Sequence, residues 1–140
     1  MTEDDLKKRT KLFALRIIKF VAALPKTIAG RAIGGQLARS GTSVAANYRA
    51  SCRARSKAEF ISRLGVVEGE ADESALWLEL IIEGGLMKSS LVKPLWVEAN
   101  ELVAIMTSSR KTAARSPVTA ASSRGTRAFI KNQKSKIKSS

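Results

Sequence analysis

Apolar residues recur along this chain with a helical period, and the pattern breaks near Pro25, around Ser56 and at Gly84-Gly85. A half-buried strand would need apolar and polar residues to alternate, and such runs are almost absent. The chain is therefore read as all-α. In the first segment Leu6, Phe13, Ile17, Phe20 and Leu24 make one stripe, which predicts a helix from about Asp4 to Leu24. Its acidic start suits the positive end of a helix dipole, and Pro25 ends it because the residue before proline avoids helical angles. The second helix is predicted from Thr27, an N-cap, to about Cys52.

Ser56-Lys57-Ala58-Glu59 reads as a capping box opening the third helix, and Gly84-Gly85 closes it. Phe60, Leu64, Val67, Ala71, Leu78 and Ile81 are its core stripe. Glu68, Asp72, Glu79 and Glu83 are expected to face water. A third stripe, Val66, Glu70, Glu73, Trp77 and Leu80, is too apolar for a solvent face and implies a second buried surface. The fourth helix is predicted from about Ser90 to Ser109, and Pro94 is tolerated if it falls in the first turn. Its core stripe is Leu91, Leu95, Ala99, Leu102 and Met106, widened by Val92, Trp96 and Val103. Four helices with short connections make an up-and-down antiparallel four-helix bundle over residues 1–111. Residues 112–140 carry Phe129 and Ile130 as their only large apolar pair, so a disordered basic tail is expected there.

The second helix is unusual. Gln36, Ser40, Ser43 and Asn47 fall within a narrow stripe at about 100° per residue, beside the apolar Ile33, Leu37, Val44 and Tyr48. Ser and Asn are mediocre helix formers, because their side chains compete for the backbone. The stripe therefore serves polar packing, within the bundle or across an interface between copies. Small residues at Gly30, Gly34, Gly41 and Ala45 form a stripe of their own, and a bend or an irregular turn is expected near Ser40-Gly41-Thr42.

Charge limits what the chain can bind and catalyse. Lys and Arg number 25 against 12 Asp and Glu, a formal net charge of +13. Such a balance favours polyanion partners: RNA, DNA or an acidic membrane surface. Fourteen of the basic residues lie between Lys7 and Arg63, where Glu59 is the one acid. The chain has no histidine, so Ser-His and Cys-His nucleophilic triads are excluded. Di-iron bundles use Glu-x-x-His pairs, and these are missing too. No metal, no cofactor and no catalytic residue is expected, and the chain is read as a non-enzyme. The single cysteine, Cys52, allows no internal disulfide and reads as a packed residue in a cytoplasmic protein. No secretory leader is apparent, and the apolar runs are too short and too charged to span a membrane.

One stretch carries a resemblance. It runs Gln36-Leu37-Ala38-Arg39-Ser40-Gly41-Thr42-Ser43-Val44-Ala45-Ala46-Asn47-Tyr48-Arg49. It continues through Ser56-Lys57-Ala58-Glu59-Phe60, Glu68-Gly69-Glu70-Ala71-Asp72-Glu73 and Trp77-Leu78-Glu79. This resembles the "four helix bundle protein" family, which includes proteins encoded in intervening sequences of 23S ribosomal RNA genes. The accessory protein of diversity-generating retroelements is a relative. The resemblance implies a small helical protomer that assembles into a homopentamer. It implies no known enzymatic activity and, in the retroelement branch, binding to nucleic acid and to a reverse transcriptase. The chain departs from the pattern at Gly69, where glutamate is common, and at Leu76, where an aromatic precedes the tryptophan.

Two candidate surfaces follow. Arg49, Arg53, Arg55, Lys57 and Arg63, with Arg124, Arg127, Lys131, Lys134, Lys136 and Lys138 of the tail, are candidates for phosphate contact. Gln36, Arg39, Ser40, Ser43, Asn47, Val66, Glu70, Glu73, Trp77 and Leu80 are candidates for an oligomer interface or polar packing. Within that set Arg39 is expected to pair with Glu70 or Glu73. The leading expectation is an oligomeric nucleic-acid-binding scaffold. The rival is an adaptor for an acidic protein partner, such as a reverse-transcriptase accessory subunit.

Overall fold

The computed structural model describes residues 1–116. They form four helices: α1 (Glu3–Ala22), α2 (Ile28–Ser51), α3 (Lys57–Glu83) and α4 (Ser89–Arg115). Each helix packs chiefly on its neighbour in sequence, and α1 touches α4 only lightly. The result is the expected up-and-down four-helix bundle. Phe13, Ile17, Leu37, Val44, Leu64, Leu78, Ile81, Leu102 and Met106 fill its centre and are almost completely shielded from solvent.

The helix ends follow local chemistry. α1 begins at Glu3, a residue earlier than expected, because Thr2 and Asp5 form a reciprocal capping box. It ends at Ala22, short of Leu24, which is buried in the turn before Pro25. Thr27 caps α2 by accepting from the Gly30 N–H at 3.1 Å. At α3 the box is split. Ser56 accepts from the Glu59 N–H, but the Glu59 carboxylate accepts from Arg55 rather than from Ser56. α3 closes in a Schellman arrangement, with Gly85 N–H to Ile82 at 3.1 Å and Leu86 N–H to Ile81 at 3.0 Å. Gly85 holds φ +67°, where a side chain would be strained.

Four local expectations need correction. α2 has no break at Ser40-Gly41-Thr42. Gly41 serves a close approach instead: a Cβ there would lie 2.9 Å from both Cγ1 and Cγ2 of Ile17, so the missing side chain lets α1 sit directly on α2. Glu68 does not simply face water, because it reaches α4 and meets Arg110 at 2.9 Å and the Thr107 hydroxyl. On α4, Leu91 is 60% exposed and Val92 takes the buried place. Finally, α4 starts at Ser89, which puts Pro94 in the second turn, and it runs on to Arg115. Thr112 to Arg115 therefore belong to the helix, and Ala113 is buried. The disorder expected after that point concerns residues 117–140, which lie outside the described residues.

Candidate nucleic-acid interface

The basic residues of α2 do not stand alone. Arg49 lies near the end of α2, Arg53 and Arg55 follow in the link to α3, and Arg63 lies in the second turn of α3. These four, with Ala46, Ala50 and Glu59, line one surface hollow. A second hollow is lined by Arg49, Ala45 and Ala46 of α2 and by Lys7 and Lys11 of α1. Arg49 is common to both. The uncharged residues of the lining are all small: Ala45, Ala46 and Ala50. Glu59 is the one acid lining either hollow, and its carboxylate already accepts the Arg55 N–H at 3.0 Å.

Lys57, expected in the same cluster, is used elsewhere. Its ammonium donates to the carbonyls of Ala114 and Ser116, at the end of α4. A cation there satisfies orphan carbonyls and suits the negative pole of the helix. Lys7 and Lys11 went unnoticed in the sequence because they lie far from Arg49 along the chain. Their spacing on one side of α1 was the available signal. Arg124, Arg127, Lys131, Lys134, Lys136 and Lys138 lie outside the described residues.

The polar stripe of α2 divides by depth. Ser40 is fully buried, and its hydroxyl lies 2.9 Å from that of Ser74 on α3. Each hydroxyl has one proton, so one serine donates across the seam while the other donates to its own helix; Ser74 lies 2.9 Å from the Glu70 carbonyl and Ser40 3.3 Å from that of Leu37. Ser43 and Asn47 are half-buried, with the Asn47 amide donating to the Ser43 carbonyl at 2.9 Å. Gln36 is exposed. Arg39 bridges to α3 inside the protomer, donating to both Glu70 oxygens and, at 2.7 Å, to Glu73. Those carboxylates hold its guanidinium charged far above the ordinary range, with Glu70 the larger influence. Trp77 lies half-buried beside Glu73, while Val66 and Leu80 are 41% and 39% exposed.

Among the described residues, no cluster of His, Cys, Asp and Glu is large enough to hold a metal ion, and no helix is long and apolar enough to cross a membrane. Cys52 is half-buried, and burial pushes its thiol up, away from the reactive thiolate. Burial likewise raises the Tyr48 hydroxyl well above its ordinary value.

A family model described as 23S rRNA-intervening sequence protein matches residues 3–108. That stretch takes in every residue of both hollows. Among solved structures, a protein of unknown function from the S23 ribosomal protein family of Bacteroides thetaiotaomicron matches with a TM-score of 0.71 and 29% identity. The match covers 79% of this chain and 99% of that one. A search of curated proteins finds no match.

Proposed function

The chain belongs to the family of 23S rRNA-intervening sequence proteins, and from that premise we propose that it is a non-catalytic assembly protein that grips the phosphate backbone of RNA or DNA. The carrying observation is the pair of adjoining hollows that share Arg49 and gather cations from α1, α2, the link and α3. Two neighbouring cups suit successive phosphates better than a single compact anion. Neither cup is lined by an aromatic ring, so stacked bases have no platform there. Binding of this kind reads charge and backbone, weakly by sequence and steeply by salt. Self-association belongs to the same reading. Val66, Leu76 and Leu80 leave an apolar outer face on α3, and copies joined through it would multiply the field of a modest patch.

The test is fluorescence anisotropy with labelled RNA and DNA over a salt series. Arg49→Glu with Arg53→Glu is expected to weaken binding by about a hundredfold and to flatten the salt slope. A chain ending at Ser116 is expected to keep the slope that belongs to the hollows. No binding by the full chain at low salt, or full binding by the double variant, would sink the reading.

A further inference from the structure

The outer faces of α1 and α3 are matched in spacing and opposite in charge. On α1, Lys8, Leu12, Leu15 and Lys19 follow at four, three and four residues. That stripe points away from the buried side formed by Leu6, Phe13, Ile17 and Phe20. Leu12 is 57% exposed and Leu15 52%, with Ile18 beside them at 51%. On α3, Asp72, Leu76, Glu79 and Glu83 follow at the same four, three and four, with Leu80 beside them. Leu76 is 47% exposed. Each stripe is about 16 Å long at the α-helical rise, with a charge at either end; two leucines fill the middle of the α1 stripe, and Leu76 with Glu79 the middle of the α3 stripe.

These charges are also idle. Glu68, Glu70, Glu73, Glu98 and Glu101 are each bound to an arginine of another helix. Lys8, Lys19, Asp72, Glu79 and Glu83 take part in no ion pair among the described residues. Half-exposed leucines framed by idle charge of one sign are poor solvent surface on two helices at once.

We propose that the α1 stripe of one copy docks on the α3 stripe of the next. The inference rests on the self-association proposed above and names its two surfaces. Lysines then meet carboxylates at both ends of the contact, Leu12 and Leu15 are covered by Leu76 and Leu80 between them, and Glu79 lies at the edge of the stripe away from Leu80. Neither stripe can pair with itself, because α1 on α1 sets lysine against lysine and α3 on α3 sets acid against acid. The contact is therefore heterologous. Each copy offers one stripe and accepts the other, so copies assemble head to tail, into a ring where the rotation closes. The hollows lie on the α1–α2–α3 side of the protomer, and their cations are not consumed by this contact.

The experiment uses the full chain and two charge-reversed forms, Lys8→Glu/Lys19→Glu and Asp72→Lys/Glu83→Lys. All four positions are exposed. Mass is read by light scattering and sedimentation. The unaltered chain is expected to be oligomeric and each variant about a hundredfold weaker in association. An equimolar mixture of the two variants is expected to regain the large mass, since the reversed faces complement each other. Leu15→Cys and Leu76→Cys chains, each also carrying Cys52→Ala, should cross-link on mild oxidation only when mixed. An unaltered chain that stays monomeric removes the self-association reading itself. An oligomer that survives both reversals, or a Leu15–Leu15 link between copies, leaves self-association standing and overturns this docking. A monomer that binds phosphatidylserine vesicles through Lys8 and Lys19 removes both readings and assigns the α1 stripe to a lipid surface.

Discussion

Where α1 meets α2, bare glycine backbone lies against branched side chains; where α3 meets α4, large side chains pack beneath a polar bridge. Gly41 lies under Ile17, and a Cβ on Gly34 would fall 3.3 Å from both Val21 and Leu24. Gly30 is closer still, with space for a Cβ only 2.0 Å from the Pro25 carbonyl oxygen. The α3–α4 seam has no such approach. Gly65 there would place a Cβ 3.7 Å from the flexible Arg110 side chain. Leu64, Val67 and Leu78 of α3 and Val92, Leu102 and Met106 of α4 are all buried, and Glu68 ties the edge to Arg110 and Thr107. A seam made of missing atoms is damaged by adding them, and a seam made of bulk is damaged by removing it.

The strongest way to break the bulky seam is Leu102→Ala. Leu102 is fully buried, so truncation is expected to cost about 3 kcal/mol in urea unfolding, part lost transfer energy and part cavity. The backbone seam should yield instead to Gly30→Ala. Alanine is the better helix former by roughly 1 kcal/mol, yet the loop carbonyl of Pro25 has to move. A net loss of about 2 kcal/mol is expected from this overpacking. If Gly30→Ala instead raises the urea midpoint, the α1–α2 turn is looser than its packing implies.

Between these seams lies α2–α3, joined by the Ser40–Ser74 hydroxyl contact. Ser74→Ala is expected to cost about 1 kcal/mol, because the Ser40 hydroxyl loses its partner across the seam. The double replacement by alanine should cost less than the sum of the single changes, which a double-mutant cycle reads directly.

Much of this was legible beforehand, and what was missed has a common cause. Periodicity gives the angle of a residue around its own helix. That was enough for the α3 core stripe, for Thr27 as a cap and for Gly84-Gly85 as a stop. It does not say which neighbour stands at that angle. Glu68 sits at the edge of the core stripe, and only the placement of α4 turns a solvent acid into a bridge. Arg9 likewise reaches Glu98 and Glu101 across the lightly packed α1–α4 gap, a pairing no local pattern encodes. Leu91 failed for another reason: in the first turn of α4 the neighbouring Val92 takes the buried place, so the stripe there is displaced by one residue. In the basic cluster the spacing found Arg49, Arg53, Arg55 and Arg63. It missed Lys7 and Lys11, which join through tertiary packing, and it could not foresee that the end of α4 takes Lys57.

The polar edge of the bulky seam gives a pH-dependent prediction. Arg110 first, and then Thr107, hold the Glu68 carboxylate below its ordinary value near 4.5. A carboxylate lowered on folding contributes stability that is fully present above that ordinary value and is lost as pH falls through the lowered one. Glu68→Gln should therefore flatten the acid limb of a stability-versus-pH curve while leaving its shape near neutrality unchanged. An identical acid limb in both proteins would mean that the bridge is not formed in solution.

The smallest effect sharpens the comparison most, because it changes only the surroundings of the same substitution. Gly35 lies five residues after Gly30 on the same helix, and nothing stands within 4 Å of where its Cβ would be. Gly35→Ala therefore keeps the gain in helix propensity and lower unfolded-chain entropy without a clash. A stabilisation of about 0.5–1 kcal/mol is expected. Set beside Gly30→Ala, the pair separates backbone freedom from backbone proximity: one methyl group, one helix, and opposite signs. If both substitutions destabilise, glycine in α2 is serving flexibility rather than close approach, and the contrast between the two seams loses its physical basis.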